Sequence, residues 1–158
     1  AAFAEFKPGP RQLLFHPPFQ TRLHQDPGMN KQPPHRIILI DDSEADNLFH
    51  QIMIRRAGFE GEIQMFENSV EALEYLRADT ESKPTCILLD INMPVLNGFE
   101  LAEKATPLLK GKPTMVVVML TSSHSPEDQA RAQGIDIIQG YVSKPLTVTL
   151  VSQMLHPS

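Results

Sequence analysis

A single cysteine, Cys86, is the whole thiol content of this 158-residue chain. One thiol excludes an intramolecular disulfide framework and any cysteine-cluster zinc site, and it suits a reducing compartment. Long hydrophobic runs are also missing. The longest, such as 115–120, fall far short of the roughly 20 apolar residues a membrane helix requires. No basic segment followed by an apolar one opens the chain, which argues against a secretory signal. Positive charge is in deficit: 14 Lys and Arg against 19 Asp and Glu leave a net −5, the wrong sign for a general nucleic-acid binder. Internal repeats are absent. What is there, 41% apolar and 21% charged residues, can bury the core of one ordinary domain and leave a tail.

The tail lies at the N-terminus. Seven of the 14 prolines fall in the first 34 residues, which carry two acids and four bases, while the remainder carries −7. This stretch follows neither a period of 2 nor one of 3.6, and its X-Pro steps repeatedly exclude helix. It is expected to be a disordered Pro-rich arm over 1–34, with the domain over 35–158. Met29 is a candidate native start, the residues before it then being left over from a precursor or from cloning. Phe15 and Phe19 around His16-Pro17-Pro18 offer the alternative of a docking arm.

From His35 onward, apolar strands alternate with amphipathic helices. Ile37-Ile38-Leu39-Ile40 is a continuous apolar run, as a strand buried on both faces requires. Asp42-Ser43-Glu44 opens a helix whose inward stripe reads Ala45, Leu48, Phe49, Ile52 and Met53, with Gly58 as its stop. Residues 63–66 form a second strand. Asn68 and Glu71 suggest a capping box before a helix that buries Ala72, Leu73 and Leu76. A third strand opens at Cys86, a third helix centres on 99–105, and a fourth strand covers 115–120. Ser125-Pro126-Glu127-Asp128 starts a fourth helix, closed by Gly134. A fifth strand covers 137–142, and a last helix over 146–155 turns Leu146, Leu150, Val151, Met154 and Leu155 inward. Five strands alternating with five helices give an α/β fold: a parallel sheet with right-handed crossovers and helices on both faces.

In such sheets the binding crevice lies beyond the carboxyl ends of the strands. Asp41 and Asp42 end the first strand, Asp90 the third and Thr121 the fourth, while the fifth runs into Lys144-Pro145. Helix capping alone explains one acidic strand end, but not five chemically matched residues at one edge. Three clustered carboxylates repel and call for a cation, and Mg²⁺ favours a carboxylate pair with waters and a phosphoryl oxygen. A carboxylate beside such an ion can attack phosphorus and form an acyl phosphate. Lys144 and the Thr121 hydroxyl would then stabilise the charge on the phosphoryl oxygens.

The stretches Ile37-Ile38-Leu39-Ile40-Asp41-Asp42, Leu88-Leu89-Asp90-Ile91-Asn92-Met93-Pro94-Val95-Leu96-Asn97-Gly98, Val118-Met119-Leu120-Thr121-Ser122-Ser123 and Tyr141-Val142-Ser143-Lys144-Pro145 resemble the receiver domain of bacterial two-component response regulators. The resemblance covers 35–156, and intervals of 48, 31 and 23 residues link Asp42, Asp90, Thr121 and Lys144. It implies a flavodoxin-like (βα)5 doubly wound sheet of strand order 2-1-3-4-5, an order general knowledge of the family supplies. It further implies that Asp90 is the phosphoacceptor. Asp41, Asp42, Asp90 and the backbone carbonyl of Asn92 would hold Mg²⁺, or Mn²⁺ in its place. Lys144 would pair with the phosphoryl group, and the peptide before Pro145 would be cis. Thr121 and Tyr141 would be the switch, the ring rotating inward on activation, and Asn92 and Ser123 would tune the acyl phosphate's lifetime. Asn97 departs from the Asp frequent in that turn, without touching the chemistry.

The expectation is a stand-alone cytoplasmic receiver, with no room for an output domain after Ser158. It would take phosphoryl from a sensor histidine kinase or a histidine phosphotransfer protein and act on a protein partner or as a relay shuttle. It would be a monomer or weak dimer, without direct DNA or membrane binding, and its only catalysis would be its own phosphorylation and autodephosphorylation. The rivals are an aspartate-nucleophile phosphatase of the haloacid dehalogenase kind, which needs Asp-x-Asp where Asp41-Asp42 are adjacent, and an unphosphorylated adaptor. His24, His35, His50, His124 and His156 lack metal-ligand spacing, and His50 is expected on the surface of the first helix. A chain starting at Met29 should melt and take up phosphoryl like the full chain. Thermal denaturation and phosphoryl labelling of the two forms check this, and a large loss of either would show that the arm packs on the domain.

Overall fold

A computed structural model describes residues 33–120 and 126–156. The arm expected over 1–34 therefore lies almost wholly outside the described residues. The elements are β1 (Arg36–Ile40), α1 (Glu44–Arg56), β2 (Glu62–Phe66), α2 (Ser69–Ala78), β3 (Thr85–Asp90), α3 (Gly98–Leu109), β4 (Thr114–Leu120), α4 (Pro126–Gln133), β5 (Ile138–Ser143) and α5 (Val148–Leu155). The sheet is parallel throughout, in the order β2-β1-β3-β4-β5. This is the flavodoxin-like topology the resemblance implied.

The uninterrupted apolar strands are explained by a core on each face. Ile38 and Ile40 of β1 and Ile87 and Leu89 of β3 point to one side, against Leu73 and Leu76 of α2 and Phe99, Leu101 and Ala105 of α3. Ile37, Leu39, Cys86 and Leu88 alternate to the other, against Ile54 of α1 and Leu150, Val151 and Met154 of α5. The strand period of two thus feeds both layers at once. Burial pushes the Cys86 thiol up to about 12, which leaves it an inert packing group. In α5 every expected inward residue is buried. The helix starts at Val148 because the Thr147 hydroxyl accepts from the Leu150 N–H (3.1 Å).

The first helix departs from expectation. Most of its expected stripe is turned outward: Leu48 is 52% exposed, and Ala45, Phe49 and Ile52 are exposed as well, while Met53 alone is half-buried against the core. The buried residues are Asn47, His50 and Ile54. Asn47 decides the rotation. Its Nδ2 donates to the carbonyls of Asp41 (3.1 Å) and Phe66 (3.2 Å), tying α1 to the ends of β1 and β2. A polar residue with partners to satisfy outweighs the more apolar face. The helix ends as anticipated, with Gly58 at φ +99° just beyond it.

The segment after β3 is tightly built. The Gly98 N–H donates to the Ile91 carbonyl (2.8 Å), and a Cβ at position 98 would strike the carbonyl of Asp90. Asn97 is the N-cap of α3 and closes a full capping box. Its Oδ1 accepts from the Glu100 N–H, and Glu100 Oε1 accepts from the Asn97 N–H, both at 2.9 Å. At the N-terminal end of α2 the same motif is one-sided, with Asn68 Oδ1 accepting from Val70 and Glu71.

At the amino end of the sheet, a buried arginine unremarked in the sequence is fully engaged. Arg36 donates from Nε to Thr85 Oγ1 (3.1 Å), from Nη1 to the Tyr75 hydroxyl (3.1 Å) and from Nη2 to Asp79 Oδ2 (2.7 Å). One guanidinium therefore joins β1, β3 and α2.

Val95 sits between these features at φ +70°, a left-handed conformation disfavoured for a β-branched side chain, and it is exposed. Val95→Gly or Val95→Asn should stabilise the protein by about 1 kcal/mol. Urea denaturation of both variants checks this, and a lower midpoint in both would show that the valine makes a compensating contact.

Candidate functional site

Three strands deliver ionisable groups to one edge. Asp41 and Asp42 follow β1, Asp90 is the last residue of β3, and Lys144 follows β5. Each carboxylate offers an oxygen, and the three lie within 4.8 Å of one another. Asp41 and Asp90 are buried, while Asp42 faces solvent. Asp41 Oδ1 accepts the Ser43 N–H (2.9 Å), which turns the chain from β1 into α1. Ser43 caps that helix, its Oγ accepting the Asp46 N–H (3.2 Å).

Lys144 Nζ lies 2.7 Å from Asp41 Oδ2, 3.1 Å from Asp90 Oδ1 and 3.1 Å from Asp46 Oδ2. Burial works to deprotonate this amine, but the close pairing with Asp41 and the charge of Asp90 outweigh it and raise its pKa. The ammonium is thus fixed as a cation. Asp90 moves the other way for a carboxylate. Burial first, and then the charge of Asp41, push it from 3.8 up to about 6, against the pull of Lys144. Among the described residues one ammonium faces four carboxylates, so the edge is short of positive charge. The donor set, three clustered carboxylates without sulfur or imidazole, suits a hard oxygen-seeking divalent ion.

The structure also places three of the remaining expected residues. The Lys144-Pro145 peptide is cis, as expected. Asn92 lies exposed two residues beyond Asp90. Tyr141 is buried, 5% exposed. Burial pushes its hydroxyl up to about 12, opposed by a hydrogen bond with Gln133. Thr121 and Ser123 lie outside the described residues. The backbone of β4 runs beside β3, with Met119 opposite Asp90.

Two residues near the site escaped the sequence reading. Asp46, in the first turn of α1, drew no reading from the sequence, although it reaches Lys144. His50, expected on the surface, is 1% exposed. Burial lowers its pKa, with Lys144 lowering it further and Asp41 and Asp46 opposing, so it is a neutral imidazole at physiological pH. The correction has the same cause as the rotated helix: Asn47 turns inward and carries His50, three residues on, with it. The polar phase 46, 47 and 50 ending at Ile54 is the signal that could have found them.

The family described as the response regulator receiver domain matches residues 37–156. The chain belongs to this family. This receiver is 32% identical over 124 residues to the probable methanogenesis regulatory protein FilR2 of Methanothrix harundinacea, covering 75% of this chain and 77% of that one. It is 36% identical over 102 residues to the response regulator Rcp1 of Synechocystis, covering 61% and 67%. A two-component response regulator from Cytophaga hutchinsonii has a similar solved structure, with a TM-score of 0.65 and 31% identity, covering 78% of this chain and 95% of that one. The chain is therefore a response regulator receiver, a module of signal transduction. Receivers bind Mg²⁺ through an acidic pocket, and the cluster of Asp41, Asp42 and Asp90 matches that description. No helix among the described residues is long and apolar enough to cross a membrane.

The raised Asp90 pKa carries a sign for stability. Below about pH 4 the carboxyl is protonated in folded and unfolded chains alike. As pH rises through 6 the folded receiver must ionise a buried acid, and stability is lost. Asp90→Asn should therefore stabilise the metal-free receiver at pH 7, on the order of 1 kcal/mol once solvent at the Asp42 rim is allowed for. The gain should vanish near pH 4. Thermal melts at the two pH values check it, and a gain of equal size at both would remove the ionised carboxylate as its cause.

Proposed function

We propose that this receiver accepts a phosphoryl group on Asp90 from a phosphohistidine of a sensor kinase or phosphotransfer protein, in a Mg²⁺-dependent reaction. A carboxylate oxygen of Asp90 attacks phosphorus, the P–N bond breaks, and the imidazole leaves and takes a proton. The product is an acyl phosphate, and water later returns it to carboxylate and inorganic phosphate. The single observation that carries this reading is the position of Asp90: buried, beside Asp41 and Asp42, with the Lys144 ammonium 3.1 Å from Oδ1. Asp42, Asp41 and the Asn92 carbonyl would hold the ion, which supplies neutralising charge for the phosphoryl oxygens. Lys144 donates to a phosphoryl oxygen and keeps the site closed to stray nucleophiles on the β5 side.

Turnover is limited to the receiver's own phosphorylation and dephosphorylation, in the cytoplasm, and the output is a changed surface read by a protein partner. Thr121 turns toward the phosphoryl oxygen and Tyr141 responds on β5, while Asn92 and Ser123 set the lifetime. A phosphoryl group shifts such an equilibrium only by its differential affinity for the two states, and a swing from 1:99 to 99:1 needs about 5.5 kcal/mol. Partial activation is the expectation, with Tyr141 inward in part of the population beforehand.

Incubation with phosphorylated sensor kinases and Mg²⁺ should label the wild type and leave Asp90→Asn unlabelled, and Asp42→Asn should label slowly with weakened Mg²⁺ binding. Label surviving in Asp90→Asn would move the phosphoacceptor elsewhere. Thr121→Ala should still take label, but beryllium fluoride should no longer shift the NMR signals around Tyr141. A full Tyr141 response in that variant would disprove the coupling.

A further inference from the structure

We propose that Asp46 is a positioning residue for Lys144, holding the ammonium at the rim of the site so that its inner N–H groups face the phosphoryl position. The inference rests on Asp90 being the phosphoacceptor. Asp46 is the third residue of α1, where an acid after a capping serine ordinarily accepts the cap's own backbone N–H. Here that N–H is taken. Ser43 donates it to Asp41 Oδ1 at 2.9 Å, so the reciprocal half of the box is denied to Asp46. At the start of α3 the box is complete, with Glu100 accepting from Asn97, which shows what the same position does when its donor is free. Released from capping, the Asp46 carboxylate spans from α1 to the residue after β5 and accepts from Lys144 Nζ at 3.1 Å.

An ammonium has three N–H donors, and Lys144 meets three carboxylates: Asp41, Asp90 and Asp46. Asp41 and Asp90 belong to the cluster that suits a divalent ion, and Asp46 does not. A cation drawn to that cluster competes with Lys144 for the oxygens of Asp41 and Asp90 but leaves Asp46 to the lysine. Asp46 is then the fixed point of the side chain. With one N–H held outward, the other two are directed inward, where a phosphoryl oxygen on Asp90 would sit. Preorganising a donor in this way acts on the transfer step and not on the affinity for the ion.

The test uses the full chain with acetyl phosphate as donor, measuring the rate of Asp90 labelling across acetyl phosphate and Mg²⁺ concentrations. Asp46→Asn should lower the maximal rate about tenfold, in the range seen when a residue orienting a catalytic group is lost, with little change in Mg²⁺ half-saturation. Asp46→Glu should restore part of the rate. In a Lys144→Met background, Asp46→Asn should change nothing further, because the route through the lysine is already cut. An unchanged rate, an equal loss in both lysine backgrounds, or a loss confined to Mg²⁺ half-saturation would overturn the proposal. A simple helix-start acid would shift the melting temperature and affect both backgrounds alike. Normal labelling in the wild type with no effect of Asp46 sinks this inference alone, whereas a wild type that takes no label overturns the phosphoacceptor reading and the inference with it.

Discussion

Repulsion among carboxylates organises this molecule. Asp41, Asp42 and Asp90 are brought within a few ångströms by the parallel sheet itself, since adjacent β1 and β3 end side by side. In water such a group would cost little, but two of the three are buried, where the same charges interact far more strongly. The fold answers with one ammonium, Lys144, carried just after the last strand and paired back across the sheet. That single cation spans β1, β3 and β5 electrostatically, although β4 separates two of them. Among the described residues the remaining deficit of positive charge at this edge is left unfilled, which suits the acidic pocket of a receiver.

Much of this was legible in the sequence, and what was legible shares a physical basis. Ile37 to Ile40 could be read as a doubly buried strand because both faces demand apolar residues, and α5 because its buried stripe is also its most apolar one. Asp90 and Lys144 were visible because residues at strand ends in a parallel sheet must meet at one edge. The first helix was misread for the opposite reason. Its inward face is Asn47, His50 and Ile54, chosen by hydrogen bonds from Asn47 to two strand-end carbonyls, which hydrophobic periodicity cannot register. Asp46 was hidden by a more local rule, since an acid in the first turn of a helix is explained well enough by the helix dipole to draw no further notice. Arg36 was hidden by its type: a guanidinium is seldom buried, and only the three-dimensional meeting of Thr85, Tyr75 and Asp79 makes it safe there.

The cores on the two faces divide their duties. Tyr141 belongs to the face shared with α2, α3 and α4, while Lys144 leads into α5 on the opposite face. Two residues three positions apart on the same strand end are thereby coupled to different layers. The end of β5 is therefore packed into both layers at once.

The arginine at the far end of the sheet completes the picture. Arg36 ties the amino ends of β1 and β3 to the carboxyl end of α2 with three hydrogen bonds, one of them to a carboxylate. β1 and β3 are thus tied through a side chain at the end opposite the carboxylates, besides the ladder that pairs them along their length. Strands joined so far back can carry mutually repelling ends without parting. The arginine bears, from the far side of the sheet, a load that the carboxylates create.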